Sequence, residues 1–580
     1  MQRVLWCFSA AFLLVGVNGL PPCDSEIYCN GNILSAVQTS RLFDDDKYFV
    51  DMKLKAPPDV VLLAYRNFSK EMFYGRVPPT KLQEFVNLYF DKPGTEFEPW
   101  TPPDWHDKPK FLGRIADQNL RLWAEEIHNL WKSLGRKIST DVNDHPELYS
   151  QIYIPYPFVV PGGRFREIYY WDSYWIINGL LLSEMTDTAY GMIQNLLGLV
   201  NRYGFVPNGG RIYYERRSQP PFLTLMVDSY YQATKDKNFL RKALPVLEQE
   251  YNFWMQNRSV AVSEHILNRY HVEISMPRPE SYTDDLELTE ELSNDEKNQL
   301  LMELKAGAES GWDFSSRWYI DGDGNNIGTL SETRTSQFLP SDLNALMCLN
   351  EKTLASFHMI LDDFESAARF NLAVDRRLAA IESVLWDAER GAWFDYNLMT
   401  HSKHFEFYPS NLAPVWAECY SKPAMGEKAV QYLKASGALQ FPNGVPTSLR
   451  QSGQQWDYPN AWPPLQHMLI SGLSKIQSAE AQELAFDLAQ RWIRTNWLAY
   501  VKYEAMFEKY DVNGDGKPGG GGEYEVQLGF GWTNGVALQL LDQYGSSLTS
   551  GSHQVSSSLL LFLVLVALLM LQCSQHYDRV

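Results

Sequence analysis

Carboxylates stand beside aromatic rings at several points of this chain. Asp172 follows Trp171, Asp313 lies between Trp312 and Phe314, Asp457 follows Trp456, and Glu508 lies between Phe507 and Lys509. Arginines occupy the same polar stretches, among them Arg164, Arg217 and Arg278. Paired carboxyls can donate and accept protons in a reaction. Aromatic faces stack on the apolar faces of sugar rings, and charged side chains make the stronger hydrogen bonds that sugar hydroxyls require. The 18 tryptophans supply such faces in quantity. These residue types point to carbohydrate chemistry, although a large core also uses aromatics. Each residue has a plainer alternative. The three arginines could be ion-paired with Glu167, Glu215 or Glu280, Asp172 and Asp457 could hold loops in place, and Trp456 and Trp462 could be packing residues.

Several other chemistries are excluded. The chain has no Gly-x-Ser-x-Gly elbow for a serine hydrolase and no His-Glu-x-x-His zinc motif. His401 and His404, with Glu406 nearby, lie in a loop-like stretch where no metal is expected. Gly519 to Gly522 are followed by Glu523, which would repel a phosphate. Asp511, Asn513 and Asp515 begin like a calcium loop, but Gly522 stands at its twelfth position and Glu523 comes one residue late. A flexible lid is the better expectation for this segment. The net charge of −19 repels phosphate backbones, so nucleic acid is not an expected partner. No cofactor or metal is expected.

Longer motifs sharpen the assignment. The stretch Pro161-Gly162-Gly163-Arg164-Phe165-Arg166-Glu167-Ile168-Tyr169-Tyr170-Trp171-Asp172-Ser173-Tyr174 resembles the first signature of the trehalase family. Gln455-Trp456-Asp457-Tyr458-Pro459-Asn460-Ala461-Trp462-Pro463-Pro464 resembles the second. Shorter stretches agree: Asn208 to Arg211, Arg217 to Gln219, Arg278 to Glu280, Ser310 to Trp318, Glu508 to Asp511, and the glycine run ending in Glu523-Tyr524. The likeness spans roughly residues 40 to 540. The resemblance implies an all-α (α/α)6 toroid and the inverting hydrolysis of α,α-trehalose to two glucoses, as in glycoside hydrolase family 37. It implies that Asp313 is the general acid and Glu508 the general base. The family's sugar-contact positions fall on Arg164, Trp171, Asp172, Asn208, Arg217, Ser218, Gln219, Arg278, Glu280, Gly311 and Glu523, with no departure at any of them. Trehalose is the implied partner, and a homodimer is compatible with the resemblance.

The physics of glycoside cleavage fits these roles. An inverting enzyme delivers a proton to the leaving oxygen and activates a water on the opposite face, with its carboxyls ~6.5–9.5 Å apart. The acid must keep its proton near neutral pH, and the rings beside Asp313 could desolvate it. Glu508 must stay ionised, which a nearby cation helps. Inversion at one anomeric carbon of α,α-trehalose releases one β- and one α-glucose. A starch-type glucosidase on the same barrel would share the fold. A sugar receptor without catalysis would not need both carboxylates.

The elements that must position these residues read as helices. Leu120, Trp123, Ile127, Leu130 and Leu134 recur at helical spacing, with Gly135 as a stop. Val374, Leu378, Ile381 and Leu385 form a second stripe. Leu484, Leu488 and Trp492 form a third, with Ser478 as an expected N-cap. The acidic stretch 284–309 reads as a solvated helix face. No linker divides the chain, which predicts one catalytic domain over 20–545.

The termini read as targeting segments. Arg3 and the apolar run Val4 to Val17 predict a signal peptide over 1–19. Small residues around 545–552 and the apolar run 559–571 predict a GPI-anchor signal over 546–580, with attachment at Ser550 or near Ser546. The polar end from Gln572 to Val580 departs from that layout. The expected location is the extracellular face of the cell membrane. Cys7 and Cys573 would leave with these segments. Cys23 and Cys29 are close enough to pair, while Cys348 and Cys419 could pair or remain buried thiols. Asn67 and Asn257 begin glycosylation sequons.

Overall fold

A computed structural model describes residues 20–70 and 77–551. Twelve helices, labelled α1–α12, build the catalytic body. They are α1 Gln118–Leu134, α2 Asp172–Leu182, α3 Thr186–Tyr203, α4 Leu223–Thr234, α5 Lys237–Asn257 and α6 Ser341–Ile360. The second half comprises α7 Phe364–Ala380, α8 Ala413–Trp416, α9 Pro423–Ala435, α10 Pro463–Lys475, α11 Ala479–Tyr503 and α12 Gly531–Tyr544.

The even-numbered helices close a ring. α2 packs on α4, α4 on α6, α6 on α8, α8 on α10, α10 on α12, and α12 returns to α2. The odd-numbered helices alternate with them in sequence and form the outer layer. For example, α3 packs on both α2 and α4, and α11 on both α10 and α12. This is the expected (α/α)6 toroid. Strands are short and form only two- and three-stranded sheets among the described residues.

Composition separates the two layers. Outer helix α1 is amphipathic: Leu120, Trp123, Ile127, Trp131 and Leu134 are buried on one side, and the Asp117 carboxylate caps the start by accepting from the amides of Asn119 and Leu120. Inner helix α2 buries Trp175, Ile176, Ile177, Gly179 and Leu180. A helix surrounded by protein needs no polar face, so it carries no clear stripe. All three periodic stripes in the sequence fall on outer helices, α1, α7 and α11; the third-stripe N-cap, Ser478, occupies its position without a side-chain cap bond. Residues Ile381–Leu385, at the end of the second stripe, form a wider π turn.

Connection lengths decide where the site is. The inner-to-outer links are short: 183–185, 235–236, 361–363, 417–422 and 476–478. The outer-to-inner links are long: 135–171, 204–222, 258–340, 381–412, 436–462 and 504–530. The long segments therefore all gather where the inner helices begin.

The stretch 284–309 differs from its expected form. Instead of one solvated helix it holds a short helix, Tyr282–Leu288, and a second helix, Asn294–Ser310, whose last three turns are buried. Glu303, Lys305 and Glu309 are inside. Glu309 is neutralised by Arg258 at 2.8 Å, and Glu303 accepts from the Ser336 hydroxyl and amide. Charge-rich composition misleads here because these charges have internal partners.

A segment before α1 forms a smaller apolar cluster around Ile33, Leu34, Phe49, Val61, Leu82 and Val86, which meets the body at Tyr169, Tyr213 and Tyr214. Buried ions join the two. Lys47 contacts Asp51 at 2.6 Å and Glu167 at 2.8 Å, while Arg211 contacts Glu167 at 3.0 Å and Glu96 at 2.6 Å. Two disulfides form, Cys23–Cys29 and Cys348–Cys419. The expected signal segment 1–19 and the apolar tail 559–571, with Cys7 and Cys573, lie outside the described residues. Among the described residues no helix is long and apolar enough to cross a membrane.

The ring closes through glycine. A Cβ on Gly535 of α12 would lie 2.1 Å from the Trp175 carbonyl oxygen of α2, and one on Gly179 would lie 3.0 Å from Gly535 Cα. Gly198, on α3, has nothing within 4 Å of a Cβ. Gly535→Ala is expected to destabilise by about 2–3 kcal/mol through overpacking, whereas Gly198→Ala stabilises by up to ~1 kcal/mol. Thermal unfolding of both variants checks this; equal melting temperatures would contradict the close approach of α2 and α12.

Candidate active site

The long connections line one shared cavity. Each contributes at a defined place. The segment before α2 brings Arg164 and Trp171, and α2 itself starts with Asp172. The segment before α4 brings Asn208, Arg217 and Gln219. The segment before α6 brings Arg278, Glu280, Gly311 and Asp313. Trp456 and Trp462 precede α10, and Glu508, Glu523 and Tyr524 precede α12. All of these line the same cavity. Ser218 does not: its hydroxyl donates to the Val206 carbonyl at 2.6 Å and its amide to Glu309 at 3.0 Å. Ser218 thus anchors the turn between Arg217 and Gln219. Asn67 and Asn257 are exposed, on the helix Pro58–Lys70 and at the end of α5. The Ser550 amide donates to Asp117 at 2.8 Å, beside the start of α1.

Asp313 is delivered by the end of the helix Asn294–Ser310. Gly311 ends that helix in the left-handed conformation, with φ of 74°. Any Cβ there would lie 2.7 Å from the Trp171 ring, so this turn needs glycine twice over. Trp312 is stacked on Trp456 with ring centroids 5.5 Å apart, and Trp456 on Trp462 at 3.9 Å. These buried rings, with Trp171 and Trp532, form a dry floor. Burial, reinforced by the negative charge of Glu523, pushes the Asp313 carboxyl up to about 7. Arg278 and Arg217 oppose this only partly. Their charges are already engaged. Arg278 donates to Asp285 and Glu523, each at 2.7 Å, and Arg217 donates to Glu280 at 2.5 Å and to Asn208 at 3.0 Å. The three arginines are ion-paired, as the plainer alternative allowed, but Arg217 alone pairs with an expected partner, Glu280; Arg278 pairs with Asp285 and Glu523 and Arg164 with Asp45, not with Glu167 or Glu215, and all three still line the cavity.

Glu508 is held differently. Its Oε1 accepts from the Tyr524 hydroxyl at 2.8 Å. Its Oε2 is buried without a hydrogen-bond partner, and the Lys509 ammonium lies 3.6 Å away. The backbone is fixed too, because the Trp532 indole donates to the Glu508 carbonyl at 3.1 Å. Asp172 lines the same cavity. Burial, and then the charges of Glu508 and Asp313, hold its carboxyl well above its usual range. One carboxyl keeps its proton near neutrality, another has an oxygen without a hydrogen-bond partner beside a cation, and both line one cavity.

Among the residues of this site that sequence reasoning misses, Asp45 and Tyr524 touch its charged groups. Asp45 grips the Arg164 guanidinium with bonds of 2.7 and 2.9 Å. It comes from the segment before α1, and nothing in linear spacing links it to Arg164. Its one local signal is an N-cap position, where it accepts from the Lys47 amide. Tyr524 follows the glycine run and carries no chemical signal alone, yet it packs under Arg164 at 4.7 Å and bonds Glu508. Asp457, by contrast, binds Ser315, Ser316 and Ser452 and is a loop anchor.

The trehalase family model matches residues 41–545. The chain is 53% identical over 536 residues to a trehalase of Homo sapiens, covering 92% of this chain and 91% of that one. It is 47% identical to a trehalase of Apis mellifera, covering 92% and 87%. Among solved structures, a neutral trehalase from Saccharomyces cerevisiae matches with a TM-score of 0.54 and 26% identity, over 68% of this chain and 75% of that one.

The Asp313 environment has a cost that can be read as stability. The unfolded chain releases this proton near 3.8 and the folded chain near 7, so between those values the folded state binds more protons. Stability from this group is therefore lost as pH rises through that window. Asp313→Asn removes the effect. It is expected to match the wild type near pH 4 and to exceed it by roughly 4 kcal/mol at pH 8. Unfolding curves at the two pH values test this; a pH-independent difference would contradict the assignment.

Proposed function

Because the chain belongs to the trehalase family, we propose that it hydrolyses α,α-trehalose to two glucoses by single displacement with inversion. The observation that carries this reading is the shared cavity of Asp313 and Glu508, in which burial pushes the Asp313 carboxyl up to about 7.

Each residue then has a task. Asp313 gives its proton to the glycosidic oxygen as the bond to the anomeric carbon breaks. Glu508 Oε2 takes a proton from a water whose oxygen attacks that carbon from the opposite face. Arg164, Arg217 and Arg278, held by Asp45, Glu280 and Asp285, present charged donors to hydroxyls. Trp171, Trp456 and Trp462 offer apolar walls. Gly311 gives backbone access beside Asp313. Asp172, Asn208, Gln219 and Glu523 complete the polar wall.

The proposal extends to location. The enzyme enters the secretory pathway through residues 1–19 and is held on the outer membrane face by a lipid attached at Ser550 or near Ser546. Two disulfides and exposed sequon residues Asn67 and Asn257 suit an oxidising, glycosylating route. A chain ending at residue 551 should leave cells as soluble active enzyme, whereas the full chain should be released by a phosphatidylinositol-specific phospholipase. Retention of the short form would contradict the anchor.

Turnover is the direct test. Asp313→Asn and Glu508→Gln should each lower kcat by about 10²–10⁴-fold with KM changed little. NMR of the first product should show α- and β-glucose in equal amounts. Two α-glucoses, or full activity in either variant, would overturn the mechanism.

A further inference from the structure

Gln455 does not line the cavity, but its side chain touches the backbone of Asp313 and the cation beside Glu508. Its side-chain amide donates to the backbone carbonyl of Asp313. Its Oε1 accepts from the Lys509 ammonium at 2.7 Å. The residue is buried, and its own carbonyl is fixed by the Trp462 indole at 2.8 Å and the Asn460 amide at 2.9 Å. Gln455 therefore has little freedom to move.

Lys509 is the cation nearest the base. It is fully buried, and its ammonium lies over the Trp462 and Tyr524 rings, 4.8 and 5.2 Å from their centroids. It has two acceptors to choose between. It makes a full hydrogen bond to Gln455 and stands 3.6 Å from Glu508 Oε2, beyond hydrogen-bond contact. A cation in contact with Oε2 would keep the carboxylate ionised but would occupy the lone pair that must receive the proton. A cation at longer range favours the ionised form without blocking it.

We propose that Gln455 is a positioning residue that sets the strength of the base: it holds Lys509 back from contact with Glu508 while tying the backbone of Asp313 to the same point. This rests on the acid/base roles of the preceding section and adds a residue that does not line the cavity. The charged and titratable groups facing the pair are Lys509, Tyr524 and Asp172 around Glu508, and Glu523, Arg278 and Arg217 around Asp313. Of these, only Lys509 bonds Gln455.

The test uses kcat and KM for trehalose across pH in the full-length enzyme. The acidic limb of kcat reports ionisation of the base in the complex. In Gln455→Met the ammonium loses its neutral acceptor and closes on Glu508. The acidic limb should move to lower pH by roughly one pH unit, with kcat down about 10-fold or more and KM changed less. In Gln455→Glu a carboxylate draws the ammonium away, so the limb should move to higher pH. Adding Lys509→Met to Gln455→Met should abolish the downward shift. Packing loss alone would not move the limb in opposite directions. If Gln455→Met does not fold, the upward shift in Gln455→Glu carries the test. Limbs that coincide with the wild type in the folded variants, or effects confined to KM, overturn the proposal and leave the acid/base roles standing. A wild type that does not cleave trehalose, or an active Glu508→Gln, removes both.

Discussion

Asp313 keeps its proton because the chain around it removes water without leaving a cation free to replace that water. Trp312, Phe314 and Trp456 are buried about it, and the nearby Arg278 is shared between Asp285 and Glu523. Placing a carboxyl in such surroundings is unfavourable when it is ionised. The fold tolerates the cost because the acid follows immediately on a buried helix, Asn294–Ser310, whose end is fixed by a glycine turn against Trp171. The chemistry therefore depends on rigid packing more than on any local feature of the acid.

The ring of inner helices supplies that rigidity. Alternating inner and outer helices with short returns leaves all the long connections at one end, so residues from five separate connections meet without a dedicated binding domain. The segment before α1 completes the wall by placing Asp45 on Arg164. Its docking uses the buried charges of Lys47, Asp51, Glu96, Glu167 and Arg211. Breaking one partner in such a network strands another in a medium that cannot solvate it. The place of Arg164 in the cavity wall and the attachment of this segment are thus physically linked.

The glycine run and the residues after it form one part of the wall in this conformation. Asn460 holds Gly520 through two hydrogen bonds, of 2.7 and 3.0 Å. Glu523 reaches Arg278 and Ser281, and Tyr524 reaches Glu508. The same segment thus supplies a charge that strengthens the hold of Asp313 on its proton and a hydroxyl that orients the base. Closure of the cavity and preparation of the acid/base pair share one set of contacts.

The sequence by itself determined the helical class, the family likeness and most of the residues that line the cavity, because those are carried by side-chain type and by long local motifs. Amphipathic stripes revealed α1, α7 and α11, since an outer helix must divide polar from apolar faces. The inner helices left no such trace: α2 and its ring neighbours are surrounded by protein, and uniform burial erases periodicity. Their number, their closure through Gly179 and Gly535, and the gathering of the long connections emerged only in three dimensions. So did the buried charges of the helix Asn294–Ser310, the inward turn of Ser218 and the grip of Asp45 on Arg164. Spacing along the chain encodes neighbours one or two turns away, whereas contacts between residues more than a hundred positions apart are set by packing of the whole ring.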